Sequence, residues 1–161
     1  MDLEDFQLKK GNHFIAMEYY KLILNRTYLV LITDKNLSAL RVNGLITVKG
    51  VSQKYDQKNN ATVIKKNLND PFSYVDNELV NYIHDEFFDW VQFYNDDPVN
   101  FRIKRESITS VTYDSKKKWG MSYYPHDGKV YVKYEKNKKR EFIILGSQSG
   151  ERIKKWIERK A

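Results

Sequence analysis

The chain has no cysteine among its 161 residues, which excludes disulfide frameworks, thiolate zinc sites, iron–sulfur ligation and cysteine nucleophiles. With only 3 Pro and 7 Gly, it is neither collagen-like nor low-complexity. No run of about 18 apolar residues exists to form a spanning helix, and the start Met1-Asp2-Leu3-Glu4-Asp5-Phe6 is acidic where a secretory leader would be basic. A soluble, cytoplasmic protein is the expectation. Residues 70–100 also lack any Lys or Arg, although the chain as a whole is basic.

What is present is enough for one core. Hydrophobic residues make up 41%, aromatics 14% and charged residues 30%, a balance that folds as a single domain over residues 1–161. The net charge of +7 is polarised: residues 70–100 carry eight acids, while residues 101–161 carry seventeen basic and seven acidic side chains. Such blocks suggest an acidic insertion within a basic domain, or a segment that neutralises the rest after folding.

The pattern from Phe14 to Val51 is β. Runs at 13–24, 28–32 and 37–42 are rich in branched and aromatic residues, and are separated by Asn25-Arg26 and by Thr33-Asp34-Lys35-Asn36. Asn43-Gly44 is a type I′ turn signal, predicting a hairpin into Leu45-Ile46-Thr47-Val48. Gln53 to Asn60 reads as loop, and Ala61 to Ile64 as a short strand. Asp70-Pro71-Phe72-Ser73 then has the composition of a capped helix start. Leu79, Ile83, Phe87, Trp90 and Tyr94 recur at helical spacing among Asp76, Glu78, Asp85, Glu86 and Asp89, so an acidic amphipathic helix is expected up to Pro98. Trp90, Phe93 and Tyr94 supply more aromatic material than one stripe needs, which suggests an interaction element. Further strands are expected at 101–103, 108–113, 120–124, 129–135 and 140–146, with turns at Asp127-Gly128 and Lys136-Asn137-Lys138. Residues 149–160 should close the chain as a helix with Ile153, Trp156 and Ile157 inward.

Chemistry-bearing motifs are sparse. Gly146-Ser147-Gln148-Ser149-Gly150 has Gln148 where a nucleophile elbow needs serine, and reads as the entry to the last helix. No phosphate-binding glycine pattern occurs. Of His13, His84 and His126, only His84 has carboxylates nearby, and adjacent helix positions diverge by about 100°, so no metal site is expected. His126 is expected to be exposed beside a turn. Asp114-Ser115-Lys116 has the acid-x-lysine spacing of metal-dependent nucleases, with Asp97 a candidate upstream acid by sequence alone, and marks an enzymatic alternative. The richest pattern interleaves cations with aromatics: Lys116, Lys117, Lys118 and Trp119, then Lys129, Tyr131 and Lys133 on one strand face, then Lys138, Lys139 and Arg140. It could bind a phosphorylated ligand or single-stranded nucleic acid, or simply keep a strand face soluble.

Antiparallel strands followed by one amphipathic helix resemble the pleckstrin-homology-like domain. The resemblance is to bacterial members, through Ile108-Thr109-Ser110-Val111, Lys116-Lys117-Lys118-Trp119-Gly120, Gly128-Lys129-Val130-Tyr131-Val132, Arg140-Glu141-Phe142-Ile143-Ile144-Leu145 and the Ile153-Trp156-Ile157 helix. The hairpin Leu29 to Leu37 also fits. This resemblance implies a β-rich α+β fold: an antiparallel barrel of two packed sheets, a C-terminal capping helix and, outside the family core, the acidic helical insertion at 70–100. It implies a non-enzymatic binding module without a cofactor. A protein is the expected partner, with single-stranded DNA or RNA and an anionic membrane or phosphoinositide as alternatives. Phosphoinositide binders cluster cations at the first hairpin, where this chain has only Lys21 and Arg26. If the insertion is an interaction element, deleting residues 70–98 should leave the barrel folded.

Overall fold

The computed structural model describes residues 2–21, 24–48, 62–64, 66–119, 121 and 124–159. The expected loop at 53–60 lies outside them, as does most of the expected strand at 120–124; Met121 and Tyr124 are not in a strand. The fold is β-rich α+β. Strands β1 (His13–Lys21), β2 (Leu24–Ile32), β3 (Asn36–Asn43), β6 (Phe101–Lys104), β7 (Ile108–Asp114), β8 (His126–Tyr134) and β9 (Lys138–Leu145) form one antiparallel sheet. Its order is β6-β3-β2-β1-β9-β8-β7. Short strands β4 (Ile46–Val48) and β5 (Thr62–Ile64) pair separately and in parallel. Two α-helices, α1 (Trp90–Asn95) and α2 (Gly150–Glu158), and four short 3₁₀ turns complete the described elements.

The sheet is open, with β6 and β7 as its edges, yet it is strongly curled. Four strand steps separate β6 from β9, about 19 Å in a flat sheet at ordinary strand spacing. The Phe101 and Phe142 rings on those strands nevertheless stack with centroids 6.3 Å apart. Among the described residues the halves join through two paired positions, Ala16 with Ile144 and Met17 with Ile143. Phe14, Val30, Ala39, Ile103, Val130, Val132 and Phe142 share the concave core, into which Ile153 and Ile157 of α2 insert. Ser149 caps this helix, accepting from the Arg152 N–H at 3.3 Å. Asp127 accepts from the Tyr113 hydroxyl at 2.7 Å and from the Gly150 N–H at 2.8 Å.

A second core covers the convex face. Ile15, Met17, Leu29, Leu31, Leu40 and Ile143 pack against Leu3 and Phe6 from the N-terminal segment, and against Tyr74, Val75, Ile83 and Trp90 from the inserted one. Trp90 meets Phe6 and Phe88 edge-on, at 5.8 and 4.6 Å. The insertion is therefore part of the core.

Its local structure differs from the expected continuous helix. Pro71–Tyr74 and Leu79–Asn81 are single 3₁₀ turns, and only the six residues of α1 are α-helical. The cause is local competition: Asp70, Asp76, Asp85 and Asp89 each accept backbone N–H groups two or three residues ahead, which restarts the chain repeatedly. Ile83 and Trp90 are buried as the stripe implied, but Phe87 is 85% exposed.

Three turn signals serve other ends. Asn25 and Arg26 lie inside β2, where the buried Asn25 amide bonds both backbone groups of Ile46 at 3.2 and 3.3 Å. Asn43-Gly44 makes no hairpin with β4, whose partner is β5; Asn43 instead donates to the Tyr74 carbonyl at 3.1 Å. Asp127-Gly128 is a bulge within β8, where Gly128 adopts φ 63° and a Cβ would collide with the Asp114 carbonyl. The turn expected at 136–138 does form, between β8 and β9.

Trp90→Ala should cost about 3–5 kcal/mol in urea unfolding, and Phe87→Ala at most about 0.5 kcal/mol. Deleting residues 70–98 strips the convex core, so loss of the cooperative transition is expected where the sequence suggested a surviving barrel.

Candidate binding surfaces

Alternation along β8 places Lys129, Tyr131 and Lys133 on the convex side, and buries Val130 and Val132 on the concave side. The pairing across β7, β8 and β9 then decides how free these groups are. Asp114 faces Lys129 and bonds its Nζ at 3.2 Å. The Lys116 N–H and the Lys129 ammonium hold the Asp114 carboxyl below the usual carboxylate range. Lys139 lies over the Tyr131 ring at 4.1 Å, and Lys118 pairs with Glu141 while lying 5.6 Å from the centre of the Tyr19 ring. Lys138 pairs with Glu135 at 2.8 Å. Lys116 and Lys133 are exposed and make no salt bridge among the described residues.

Arg140 does not join this face. It points to the concave side, donating to Glu18 at 2.7 Å, with its guanidinium 3.8 Å from the centre of the Phe101 ring. Burial raises the Glu18 pKa against the pull of Arg140. Lys138, opposite Tyr134, has the same strand parity, so the structure separates Arg140 and Lys138 from Lys129, Tyr131, Lys133 and Lys139.

The loop after β7 is positioned by His126, which is buried rather than exposed. Its Nδ1 lies 2.7 Å from the Tyr124 carbonyl, and its Nε2 accepts the Lys118 N–H at 3.0 Å, an arrangement that suits the neutral ring. The Lys117 ammonium donates to the His126 carbonyl. Trp119, next along, is 86% exposed. Burial and then the Lys117 and Lys129 charges lower the His126 pKa, against the bond to Tyr124.

A different surface had no sequence signal. A groove of about 550 Å³ runs between edge strand β7 and the C-terminal end of α2. It is lined by four consecutive residues, Ile108, Thr109, Ser110 and Val111, together with Arg105 and Ile157. A strand shows alternate side chains to each face, so four in succession mean that the groove follows the strand's edge and its backbone. Arg105 builds the far wall, donating to the Thr33 carbonyl at 3.0 Å and to the Ile157 carbonyl at 2.8 Å, with Arg159 as a third acceptor. It satisfies the last helical carbonyls and places a cation at the negative helix end.

The acid-x-lysine pair is occupied internally: one Asp114 oxygen takes the Lys116 N–H and the other Lys129. Asp97 is bound to Arg41 at 2.6 Å. Among the described residues no group of three or more His, Asp or Glu side chains could hold a metal, and no helix is long and apolar enough to cross a membrane. No protein-family model, curated protein or solved structure matches the chain.

Because its folded pKa is lowered, neutral His126 contributes stability that is complete above the unfolded value of about 6.5 and is lost as pH falls below it. Burial lowers His13 in the same direction. Urea unfolding at pH 7.5 and at pH 5 should show this loss, with a smaller difference in His126→Gln. Equal differences in the two proteins would assign the slope to other groups.

Proposed function

We propose that this protein is a non-enzymatic binding module that takes an extended segment of a protein partner along the β7 edge. The observation that carries this reading is the groove that follows four consecutive residues of a strand edge left unpaired among the described residues. Edge N–H and C=O groups supply affinity for any extended chain, and side-chain contacts supply the selection. Here Ile108, Val111 and Ile157 offer apolar contacts beside the charges of Arg105, Glu106 and Glu158. The register shift between Ile108 and Ser110 twists the edge, which discourages flat pairing with other sheets.

The pleckstrin-homology-like barrel belongs to the same reading. It is supported by the strand sequence on each side of the β1–β9 seam, by the curl that brings Phe101 onto Phe142, and by the helix inserted from the C-terminal end. The acidic segment would then be an insertion between the third and fourth barrel strands. A cytoplasmic location accords with the absence of cysteine, and no cofactor is needed.

A second reading, single-stranded nucleic acid on the convex cationic face, draws on the exposed Trp119 beside Lys116. Aromatic stacking flanked by cations is what such ligands use. An anionic membrane has less support, because the first hairpin brings only a few cations together and Arg26 lies over the Tyr20 ring.

Peptides selected from a displayed random library should bind the wild type and lose at least about tenfold in affinity with Ser110→Arg, which fills the groove without entering the core. Failure to select any peptide, or binding indifferent to that change, would remove the proposal. Labelled single-stranded DNA and RNA give the comparison: salt-sensitive anisotropy abolished by reversing Lys116, Lys117 and Lys118 to Glu would put nucleic acid first.

A further inference from the structure

Among the described residues most acids of the inserted segment have no cationic partner. Of the eight in residues 70–100, Asp97 alone forms a salt bridge among the described residues, with Arg41. Asp70, Asp76, Asp85 and Asp89 spend an oxygen on backbone N–H groups of their own turns. A hollow of about 520 Å³ is lined by Glu4, Glu86, Phe87, Phe88, Asp89 and Val91, with Phe87 85% exposed. This is a mixed surface, with Phe87 and Val91 exposed beside Gln92 and three carboxylates, and with no basic side chain in its lining.

The convex face of β8 and β9, the turn between them and the loop after β7 together supply the opposite charge. Trp119 is 86% exposed, and Lys116, Lys133, Lys136 and Lys139 make no salt bridge among the described residues. Each surface therefore carries an exposed aromatic ring, Phe87 among acids and Trp119 where the unpaired charges are cationic. The complementary chemistry for the acidic surface is present in this same chain, and nothing in the described fold brings the two together within one copy.

We infer that the acidic, Phe87-bearing surface of one copy docks on the cationic, Trp119-bearing face of a second copy. The two surfaces are different, so the contact is head-to-tail, and it leaves one of each kind free on every pair. Opposite fields speed encounter and fix orientation, and burial of the two rings holds the contact. Association of this kind is strong at low salt and screened at high salt.

Sedimentation of the full chain tests this over roughly 5–200 μM protein at about 50 mM and about 500 mM salt. The weight-average mass should climb above the 19.2 kDa monomer with concentration at low salt and return to it at high salt. The pair Glu4→Lys and Glu86→Lys should abolish the rise, and so should the pair Lys116→Glu and Lys133→Glu. All four positions are exposed, and matched circular dichroism would verify folding. An equimolar mixture of the two variants should associate again, since each retains one native surface. A monomer throughout at low salt would overturn the inference, as would association that either variant leaves unchanged, or a mixture that stays monomeric.

Discussion

A sheet that is apolar on both faces has to be covered twice. In β2, Leu29 and Leu31 belong to the convex core while Val30 and Ile32 belong to the concave one, and all four are buried. Curling covers one face, since the rolled sheet buries its concave side against itself and α2. On the other face the small β4–β5 sheet contributes only Ile46 and Ile64 among the described residues. That face is otherwise covered by the N-terminal residues Leu3 and Phe6 and by the insertion, through Tyr74, Ile83 and Trp90. At roughly 25 cal/mol per Å² of apolar surface, leaving that face wet would cost more than a domain's usual net stability.

Covering the convex face limits which surfaces stay exposed. The inserted aromatics that suggested an interaction element are mostly spent inward, Trp90 fully and Phe93 and Tyr94 in part. What remains outward is Phe87 with its acidic rim, the cationic β8–β9 face with Trp119, and the β7 edge beside α2. These are three surfaces of different chemistry, and only the edge presents backbone groups to a groove. The charged surfaces suit long-range attraction, and the edge suits recognition of a chain.

The β pattern was readable because it is local. Alternation in β8 placed Val130 and Val132 inward and Lys129, Tyr131 and Lys133 outward, and Ile153 and Ile157 revealed the buried stripe of the last helix. The asparagines misled for a physical reason. Asn25 and Asn43 are turn formers by propensity, but a buried amide can bond a neighbouring backbone as well as its own, and both fasten other segments to the sheet. Asn100 does likewise, accepting the Arg41 N–H at 2.7 Å and donating to the Tyr94 carbonyl at 3.0 Å. Gln148, expected only to lead into the last helix, clamps both backbone groups of Ile15 at 2.9 and 2.6 Å. Such partners lie up to 133 residues away, beyond any local pattern. The β7 edge was hidden for the same reason: strand order, not residue type, makes an edge. Arg140 was grouped with Lys139 although strand parity turns it, with Lys138, to the other face.

The central claim is that the inserted segment and the curled sheet are one cooperative structure, so that binding is left to the β7 edge and the outward charged surfaces. Native-state hydrogen exchange tests this most directly. The Val75, Ile83 and Phe93 amides, bonded at 3.2, 3.2 and 3.0 Å, should exchange with the same free energy and denaturant dependence as the core amides of β1 and β2. If they opened several kcal/mol more cheaply while β1 and β2 stayed protected, the segment would be a detachable appendage and the account would fail.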